Sequence, residues 1–238
     1  MEKLVIIILA GGLGKRMNST VPKVLLRING VSMLSKVTDL ALSLNPSKIL
    51  IVINDTIINH PEFKIKETNT VIKLINQHQP KGTGDAVKCC LPHLIKNSNV
   101  LILSGDVPLL KQETIEHFIK NGPDSVLVTK VENPTGFGRI IFEEKNEEKN
   151  EEKKLIQKIV EEKDSTEEEK KINIVNTGIY YLSYKRIMNN ILQLNNKNNS
   201  KEYYLTDLIK QSKYYLSSDY TQFLNINTQH ELLIANNI

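Results

Sequence analysis

Residues 4–17 read LVIIILAGGLGKRM, an apolar run that passes directly into a cluster of glycines and cations. The apolar and β-branched residues 5–9 predict a buried strand, and apolar spacing over residues 33–44 predicts the helix that follows. Glycines after a strand let backbone N–H groups approach phosphate oxygens, because no side chain blocks them. A tight structural turn is the alternative explanation. The order of strand, glycine loop and helix is typical of an α/β fold.

The rest of the chain repeats this alternation. We predict further strands at residues 49–53, 70–74, 100–103, 125–130, 139–142 and 179–182, and an apolar pattern resumes at residues 155–161. We predict helices at residues 85–95, 114–120, 184–194 and 204–211, and a strand end with a closing helix over residues 223–238. Alternating elements indicate a mostly parallel sheet covered on both faces. A length of 238 residues favours one domain, residues 1–238.

Composition argues against several classes of function. Hydrophobic residues make up 40% and charged residues 24% of the chain, which is ordinary for a soluble globular protein. The net charge is +4, but Lys and Arg are dispersed, so no basic stripe predicts nucleic-acid binding. The apolar residues 4–10 are too few to span a membrane and carry no signal-peptide cleavage pattern. The two cysteines, Cys89 and Cys90, are adjacent, which fits a reducing compartment and predicts a cytoplasmic protein.

One segment differs in composition from the rest. Residues 143–154 read EEKNEEKNEEKK, a charged low-complexity repeat that cannot bury a core. We interpret residues 143–154 as a solvated insertion, with a charged partner-binding arm as the alternative.

The glycine loop is followed closely by Pro22-Lys23. It lacks the GK[ST] ending of a P-loop and the full GxGxxG of a dinucleotide fold, which argues against ATPases and dehydrogenases. LAGGLGKRM followed by PK resembles the signature loop of sugar-phosphate nucleotidyltransferases, whose usual form is LAxGxGxRM with a later PK. The resemblance implies that Arg16 contacts the β and γ phosphates of a nucleotide and that Lys23 contacts the phosphate under attack. It implies that the nucleoside lies against Ala10, Gly11, Gly12 and Leu13.

A second motif predicts a metal site. Residues 101–109 read LILSGDVPL, so a buried strand delivers Asp106 at its carboxyl end, where α/β folds bind ligands. Mg²⁺ takes one or two carboxylates beside substrate phosphates, which makes a lone Asp sufficient, although Asp is also a common turn residue. By resemblance, Asn227 is the second metal ligand, with Asn225 as the alternative, and Ser104 and Gly105 belong to the sugar site.

Residues 77–86 read QHQPKGTGDA and resemble the base-reading segment QxxQxGTGxA in its uridylyltransferase form. A glutamine amide both donates and accepts hydrogen bonds, as the imide edge of uracil demands. The resemblance assigns the base to Gln77, assisted by the backbone of Gly82 and Thr83. The second glutamine of the pattern stands one place early, as Gln79.

Later segments narrow the choice of sugar. Residues 133–140, NPTGFGRI, resemble the NPTGYGRI segment of bacterial N-acetylglucosamine-1-phosphate uridylyltransferases. Residues 159–166, IVEEKDST, and residues 176–178, NTG, resemble the IVExKDA and NTG segments of that family, and residues 202–207, EYYLTD, resemble its acetyl-pocket element. The resemblance implies that the sugar is bound by Gly138, Glu161, Asn176, Tyr204 and Thr206.

Together the motifs imply a Rossmann-like, GT-A-like nucleotidyltransferase fold, with a mixed, mostly parallel sheet flanked by helices and no left-handed β-helix. They imply Mg²⁺-assisted attack of N-acetylglucosamine 1-phosphate on the α-phosphorus of UTP, giving UDP-N-acetylglucosamine and pyrophosphate. A relative with another sugar or base is one alternative. A non-catalytic sugar-nucleotide-binding subunit is another, although Arg16, Lys23 and Asp106 are all present. The oligomeric state stays open.

Overall fold

The computed structural model describes residues 2–143 and 154–238, apart from the side chain of Lys15. The interior of the predicted insertion, residues 144–153, lies outside the described residues. The strands are β1 (Leu4–Leu9), β2 (Arg27–Ile28), β3 (Val31–Ser32), β4 (Lys48–Ile53), β5 (Ile72–Asn76), β6 (Asn99–Ser104), β7 (Ser125–Lys130), β8 (Arg139–Phe142), β9 (Ile156–Val160), β10 (Ile174–Ser183) and β11 (Lys213–Ser217). The helices are α1 (Met33–Ser43), α2 (Asp55–Ile58), α3 (Thr83–Cys90), α4 (Gln112–Lys120), α5 (Glu167–Lys170), α6 (Tyr184–Asn190) and α7 (Gln229–Asn236).

One mixed sheet dominates the described part of the chain. Its strands follow the order β11-β7-β10-β6-β1-β4-β5, and β8 and β9 attach beside β10. Strands β6, β1, β4 and β5 are parallel to one another, while β10 is antiparallel to both β6 and β7. The chain moves from β1 to β4 on one side and later to β6 on the other side of β1. In open α/β sheets such a reversal opens a crevice beyond the carboxyl ends of the strands.

The continuous apolar sequence of β1 reflects burial on both faces of the sheet. Val5 and Ile7 pack into one core layer, while Ile6 and Ile8 pack into the other. Helix α1 covers the second layer and α3 covers the first. The predicted sheet, mostly parallel and flanked by helices, is confirmed. Within the part of the chain that the structure describes, no helix is both long and apolar enough to cross a bilayer.

Two predicted elements differ from the structure at the carboxyl-terminal end. The predicted helix over residues 204–211 is wrong, because only Leu205–Leu208 form a short 3-10 turn. Tyr203 instead pairs through its backbone with the segment before α3, which holds the chain extended there. Strand β11, which follows, was not predicted, and Phe223 lies in a 3-10 turn rather than a strand end. The closing helix is confirmed as α7.

Candidate active site

The glycine loop leaves β1 between the ends of its two neighbouring strands. Ala10 is buried, and its N–H donates to the Val52 carbonyl at 2.8 Å. On the other side, Gly105 N–H donates to the Leu9 carbonyl at 2.8 Å, and a Cβ at Gly105 would lie 3.0 Å from the Ala10 Cβ. The loop therefore starts at a fixed position on the sheet, at the predicted crevice.

Gly14 brings the loop against Lys23. Its φ of +59° favours glycine, and an added Cβ would lie 2.8 Å from the Lys23 Cβ. Gly12 and Leu13 are exposed and border a cavity of about 110 Å³ together with Lys23. Arg16 lies in the short 3-10 turn that follows, with its side chain exposed. The loop thus packs against Lys23, which lines the cavity, while Arg16 is exposed in the turn that follows.

The two predicted metal ligands meet at the ammonium group of Lys23. Lys23 Nζ donates to Asp106 Oδ2 at 2.5 Å and to Asn227 Oδ1 at 2.9 Å. Ser104 Oγ donates to the other carboxylate oxygen of Asp106 at 2.5 Å. The side chain of Lys23 is only 10% exposed. Asn225 contributes its backbone carbonyl, which accepts a hydrogen bond from Asn227 Nδ2 at 3.4 Å.

The electrostatics of this cluster favour an ionised carboxylate. Burial acts to raise the pKa of Asp106, but the charge and hydrogen bond of Lys23 and the hydrogen bond of Ser104 outweigh it, so the pKa lies below its ordinary value. The described residues contain no cluster of three or more His, Cys, Asp or Glu side chains that could hold a metal. Oxygens of Asp106 and Asn227 nevertheless already bind one cation, the ammonium group of Lys23. Oxygen donors of this kind fit Mg²⁺ when phosphates complete its coordination.

Gln77 lies beside the glycine loop with its amide held in place. The side chain is buried, and Nε2 donates to Asp85 Oδ2 at 2.7 Å and to the Gly82 carbonyl at 3.3 Å. Both amide protons are therefore engaged within the protein, so Oε1 is the atom available to a base. A Cβ at Gly11 would lie 3.1 Å from this oxygen, so glycine at this position leaves room beside it.

A second pocket forms where β8, β9 and β10 meet. Gly138 is buried, and its carbonyl accepts from Asn176 N–H at 2.9 Å. A Cβ at Gly138 would lie 3.4 Å from Glu161 Oε2 and 3.5 Å from the Asn176 Cβ. Thr206 Oγ1 donates to Glu161 Oε1 at 3.2 Å. The structure thus brings Gly138, Glu161, Asn176 and Thr206 into one group.

The carboxylate of Glu161 lies in an acidic, partly desolvated environment. Burial raises its pKa, as do the charges of Asp164, Asp207 and Glu202, while the hydrogen bond from Thr206 acts in the opposite direction. Tyr204 lines a cavity of about 530 Å³ together with Glu161. Burial, with the negative charges of Asp164 and Glu161, raises the pKa of Tyr204 to about 12.

The two groups lie at the same end of the sheet. The antiparallel register that pairs Tyr180 with Ile102 carries Asn176 toward the end of β6 that is followed by Asp106. Thr83 links the groups directly, because its Oγ1 accepts from Leu205 N–H at 3.0 Å, next to Thr206. Gly82 permits this contact, since a Cβ there would lie 2.5 Å from the Tyr203 carbonyl.

Sequence reasoning missed two residues that shape the site. Asn54 follows β4, and its Nδ2 donates to the Gly11 carbonyl at 2.9 Å while Oδ1 caps α2. Its position at the carboxyl end of a predicted strand was the available signal. Arg139 is the largest fully buried side chain among the described residues and pairs with Glu162 at 2.7 Å. Its place within the NPTGFGRI motif was the only hint, since an arginine in sequence is usually exposed.

Comparisons with known proteins identify the family to which the chain belongs. A family model described as a MobA-like NTP transferase domain matches residues 6–177. A protein named "Probable UDP-N-acetylglucosamine pyrophosphorylase" from Acanthamoeba polyphaga mimivirus is 40% identical over 97% of this chain and 94% of its own length. The "Bifunctional protein GlmU" of Neisseria meningitidis serogroup B is 41% identical over 86% of this chain, but the match covers only 42% of that longer protein.

Solved structures support the fold. A UDP-glucose pyrophosphorylase crystallised with UDP-glucose aligns over 100% of this chain and 98% of its own with a TM-score of 0.75, at 19% identity. The family match spans more than half of the chain and covers the glycine loop, Lys23, Gln77, Asp106, Glu161 and Asn176. This chain therefore belongs to the MobA-like NTP transferase family and is a nucleotidyltransferase.

Proposed function

We propose that this protein transfers UMP from UTP to N-acetylglucosamine 1-phosphate, forming UDP-N-acetylglucosamine and releasing pyrophosphate. The observation that carries the proposal is the contact of Lys23 Nζ with both Asp106 and Asn227 beside the glycine loop. One cationic nitrogen and two oxygen ligands converge where α/β folds bind phosphates. The name of the mimivirus relative, a probable UDP-N-acetylglucosamine pyrophosphorylase, supports the same sugar nucleotide.

In this proposal the nucleotide lies along the glycine loop. The backbone of Ala10, Gly11, Gly12 and Leu13 faces the nucleoside, Gln77 Oε1 accepts from the N3–H of uracil, and Gly82 and Thr83 complete the base site. Arg16, which is exposed in the turn after the glycine loop, meets the departing β and γ phosphates. These contacts hold the α-phosphorus in line with the incoming phosphate, which is the main contribution a protein makes to such a reaction.

The sugar phosphate approaches from the second pocket. Backbone atoms of Gly138 and the side chains of Glu161, Asn176, Tyr204 and Thr206 bind the hydroxyl and acetyl groups, with Ser104 and Gly105 lying between sugar and nucleotide. The attacking phosphate is already an anion, so the chain needs no protein nucleophile. Lys23 offsets repulsion between the two phosphates. Asp106 and Asn227 would hold Mg²⁺, which when bound supplies further positive charge at the reacting phosphate.

A substrate panel tests the proposal. Purified protein is incubated with UTP, dTTP, ATP or GTP, each combined with N-acetylglucosamine 1-phosphate, glucose 1-phosphate or galactose 1-phosphate, and pyrophosphate release is measured. We expect the highest kcat/KM for UTP with N-acetylglucosamine 1-phosphate, and dependence on added Mg²⁺. Preference for another pair would support a related nucleotidyltransferase. Binding of UDP-N-acetylglucosamine without turnover of any pair would indicate the non-catalytic subunit.

A further inference from the structure

The buried side chain of Arg139 connects the start of β8 with the segment that follows β9. Arg139 is 1% exposed, and its NH1 group pairs with Glu162 Oε2 at 2.7 Å and donates to the Phe137 carbonyl. NH2 donates to the Lys170 carbonyl at 3.4 Å. The same Glu162 oxygen accepts from Gly136 N–H at 2.9 Å. One carboxylate oxygen therefore holds both the side chain of Arg139 and the backbone of the loop that precedes it.

Each partner of this ion pair is next in sequence to a residue of the proposed sugar site. Gly138 precedes Arg139, and Glu161 precedes Glu162. Arg139 pairs with Val160 at the end of the β8–β9 ladder, so the ion pair lies directly beside Gly138 and Glu161. A displacement of either partner would move the Gly138 backbone or the Glu161 carboxylate directly.

The charges of this pair argue for a fixed geometry. Burial acts to raise the pKa of Glu162, but the hydrogen bonds from Gly136 N–H and Arg139 and the charge of Arg139 outweigh it, so the pKa falls below its ordinary value. Arg139 Nε is buried and has no hydrogen-bond partner among the described residues, which makes Glu162 the principal compensation for the buried guanidinium. Glu162 is 32% exposed, so the buried charge of the pair is the guanidinium, and removing Glu162 would leave that charge without a charged partner among the described residues.

We propose that the Arg139–Glu162 ion pair is a positioning element for the sugar 1-phosphate, holding Gly138 and Glu161 at the spacing that binds the sugar. Neither side chain contacts substrate. The inference rests on the proposed function, because it takes Gly138 and Glu161 as the sugar-binding residues.

Kinetics of Glu162→Gln test the role, because glutamine fills the same space without the charge. We expect the KM for the sugar 1-phosphate to rise about tenfold, as for other hydrogen bonds to charged groups, while the KM for UTP and kcat stay within about twofold. Glu168→Gln is the matched control, since it removes an exposed ion pair with Lys171 at 2.8 Å on the neighbouring helix α5. Arg139→Lys, which keeps the charge but loses the forked geometry, should raise the KM for the sugar 1-phosphate less than Glu162→Gln does.

Amide hydrogen exchange over residues 135–138 gives a readout independent of turnover, and Glu162→Gln should accelerate it where Glu168→Gln does not. Unchanged exchange, or equal increases in both KM values, would overturn the positioning role while leaving the proposed function intact. A wild-type protein that turns over no sugar 1-phosphate would overturn the proposed function, and the positioning role with it.

Discussion

The nucleotide half and the sugar half of the candidate site are built in different ways. Residues of the nucleotide half follow the carboxyl ends of parallel strands: Ala10 follows β1, Gln77 follows β5 and Asp106 follows β6 by two residues. Residues of the sugar half lie in or beside antiparallel strands and a turn: Gly138 precedes β8, Glu161 follows β9, Asn176 lies in β10 and Thr206 lies in a 3-10 turn. The order of the parallel strands is enough to bring the residues of the nucleotide half together. The residues of the sugar half meet only through contacts between segments that are distant in sequence.

The two halves also balance charge differently. In the nucleotide half a cation and an anion share a partly accessible contact, Lys23 with Asp106, that phosphates can enter. In the sugar half the carboxylate of Glu161 has neighbouring carboxylates and a raised pKa, while the charge of Glu162 is neutralised by buried Arg139. We infer that substitutions in the nucleotide half change catalysis most, and those in the sugar half change affinity and stability.

Asp106→Asn is expected to have the largest effect. It keeps the shape of the side chain but removes the negative charge that would hold Mg²⁺. We expect kcat/KM to fall on the order of a thousandfold, because a bound metal stabilises the transition state by several kcal/mol. Activity is measured over a range of Mg²⁺ concentrations, with circular dichroism to confirm the fold. Full activity at low millimolar Mg²⁺ would exclude the metal mechanism.

Lys23→Met sharpens the comparison, because Lys23 occupies the oxygens that a metal would need. Loss of its charge at the reacting phosphate should reduce kcat/KM about a hundredfold. Binding of Mn²⁺ in the absence of nucleotide should nevertheless become about tenfold tighter, since a neighbouring cation changes the cation affinity of a carboxylate by at least that much. Electron paramagnetic resonance of Mn²⁺ measures this directly. Weaker binding would mean that Lys23 orients the oxygens and does not compete for them.

Asn227→Ala tests which asparagine completes the cluster. Losing a neutral oxygen ligand should reduce kcat/KM about tenfold, the cost of one hydrogen-bonded group. Higher Mg²⁺ should restore part of the activity by mass action. Asn225→Ala is the control, because alanine keeps the Asn225 carbonyl that Asn227 contacts, and we expect a change within about twofold. Rescue of the Asn225 variant in place of the Asn227 variant would reverse the assignment.

Gln77→Ala should affect one substrate only. We expect the KM for UTP to rise about tenfold, because the base loses its acceptor and Asp85 loses a donor, with the KM for the sugar 1-phosphate unchanged. Gln79→Ala is the matched control, since Gln79 is exposed and should change either value within about twofold. Equal losses for both substrates in Gln77→Ala would remove its role in reading the base.

Some parts of the site and fold could be predicted from the sequence and others could not. The position of Asp106 follows from a motif at the carboxyl end of β6, where α/β folds bind ligands. Lys23 and Asn227 were predicted only through motifs that resemble those of the nucleotidyltransferase family, since neither directly follows a strand of the sheet. The strand β11 and the extended segment at Tyr203 could not be predicted. Residues 204–211 have helical apolar spacing, but backbone contacts of Tyr203 with Lys81 and Gly84 hold the chain extended just before the 3-10 turn of Leu205–Leu208. Burial of Arg139 depends on a partner that lies 23 positions away in sequence and pairs only in the folded chain.

Glu161→Gln and Glu162→Gln should change stability in opposite directions, and this is the smallest effect we expect. The folded state raises the pKa of Glu161, so the ionisation of Glu161 costs stability as pH rises above the ordinary glutamate value of about 4.3. Glu161→Gln should therefore be more stable than wild type at neutral pH, with the difference vanishing in acid.

The folded state lowers the pKa of Glu162, so its charge contributes stability above the ordinary pKa that is lost as pH falls. Glu162→Gln should accordingly be less stable than wild type at neutral pH and converge with it in acid. Urea unfolding of both variants across this pH range measures the two signs. The same sign for both variants would show that folding does not raise the pKa of Glu161 while lowering that of Glu162.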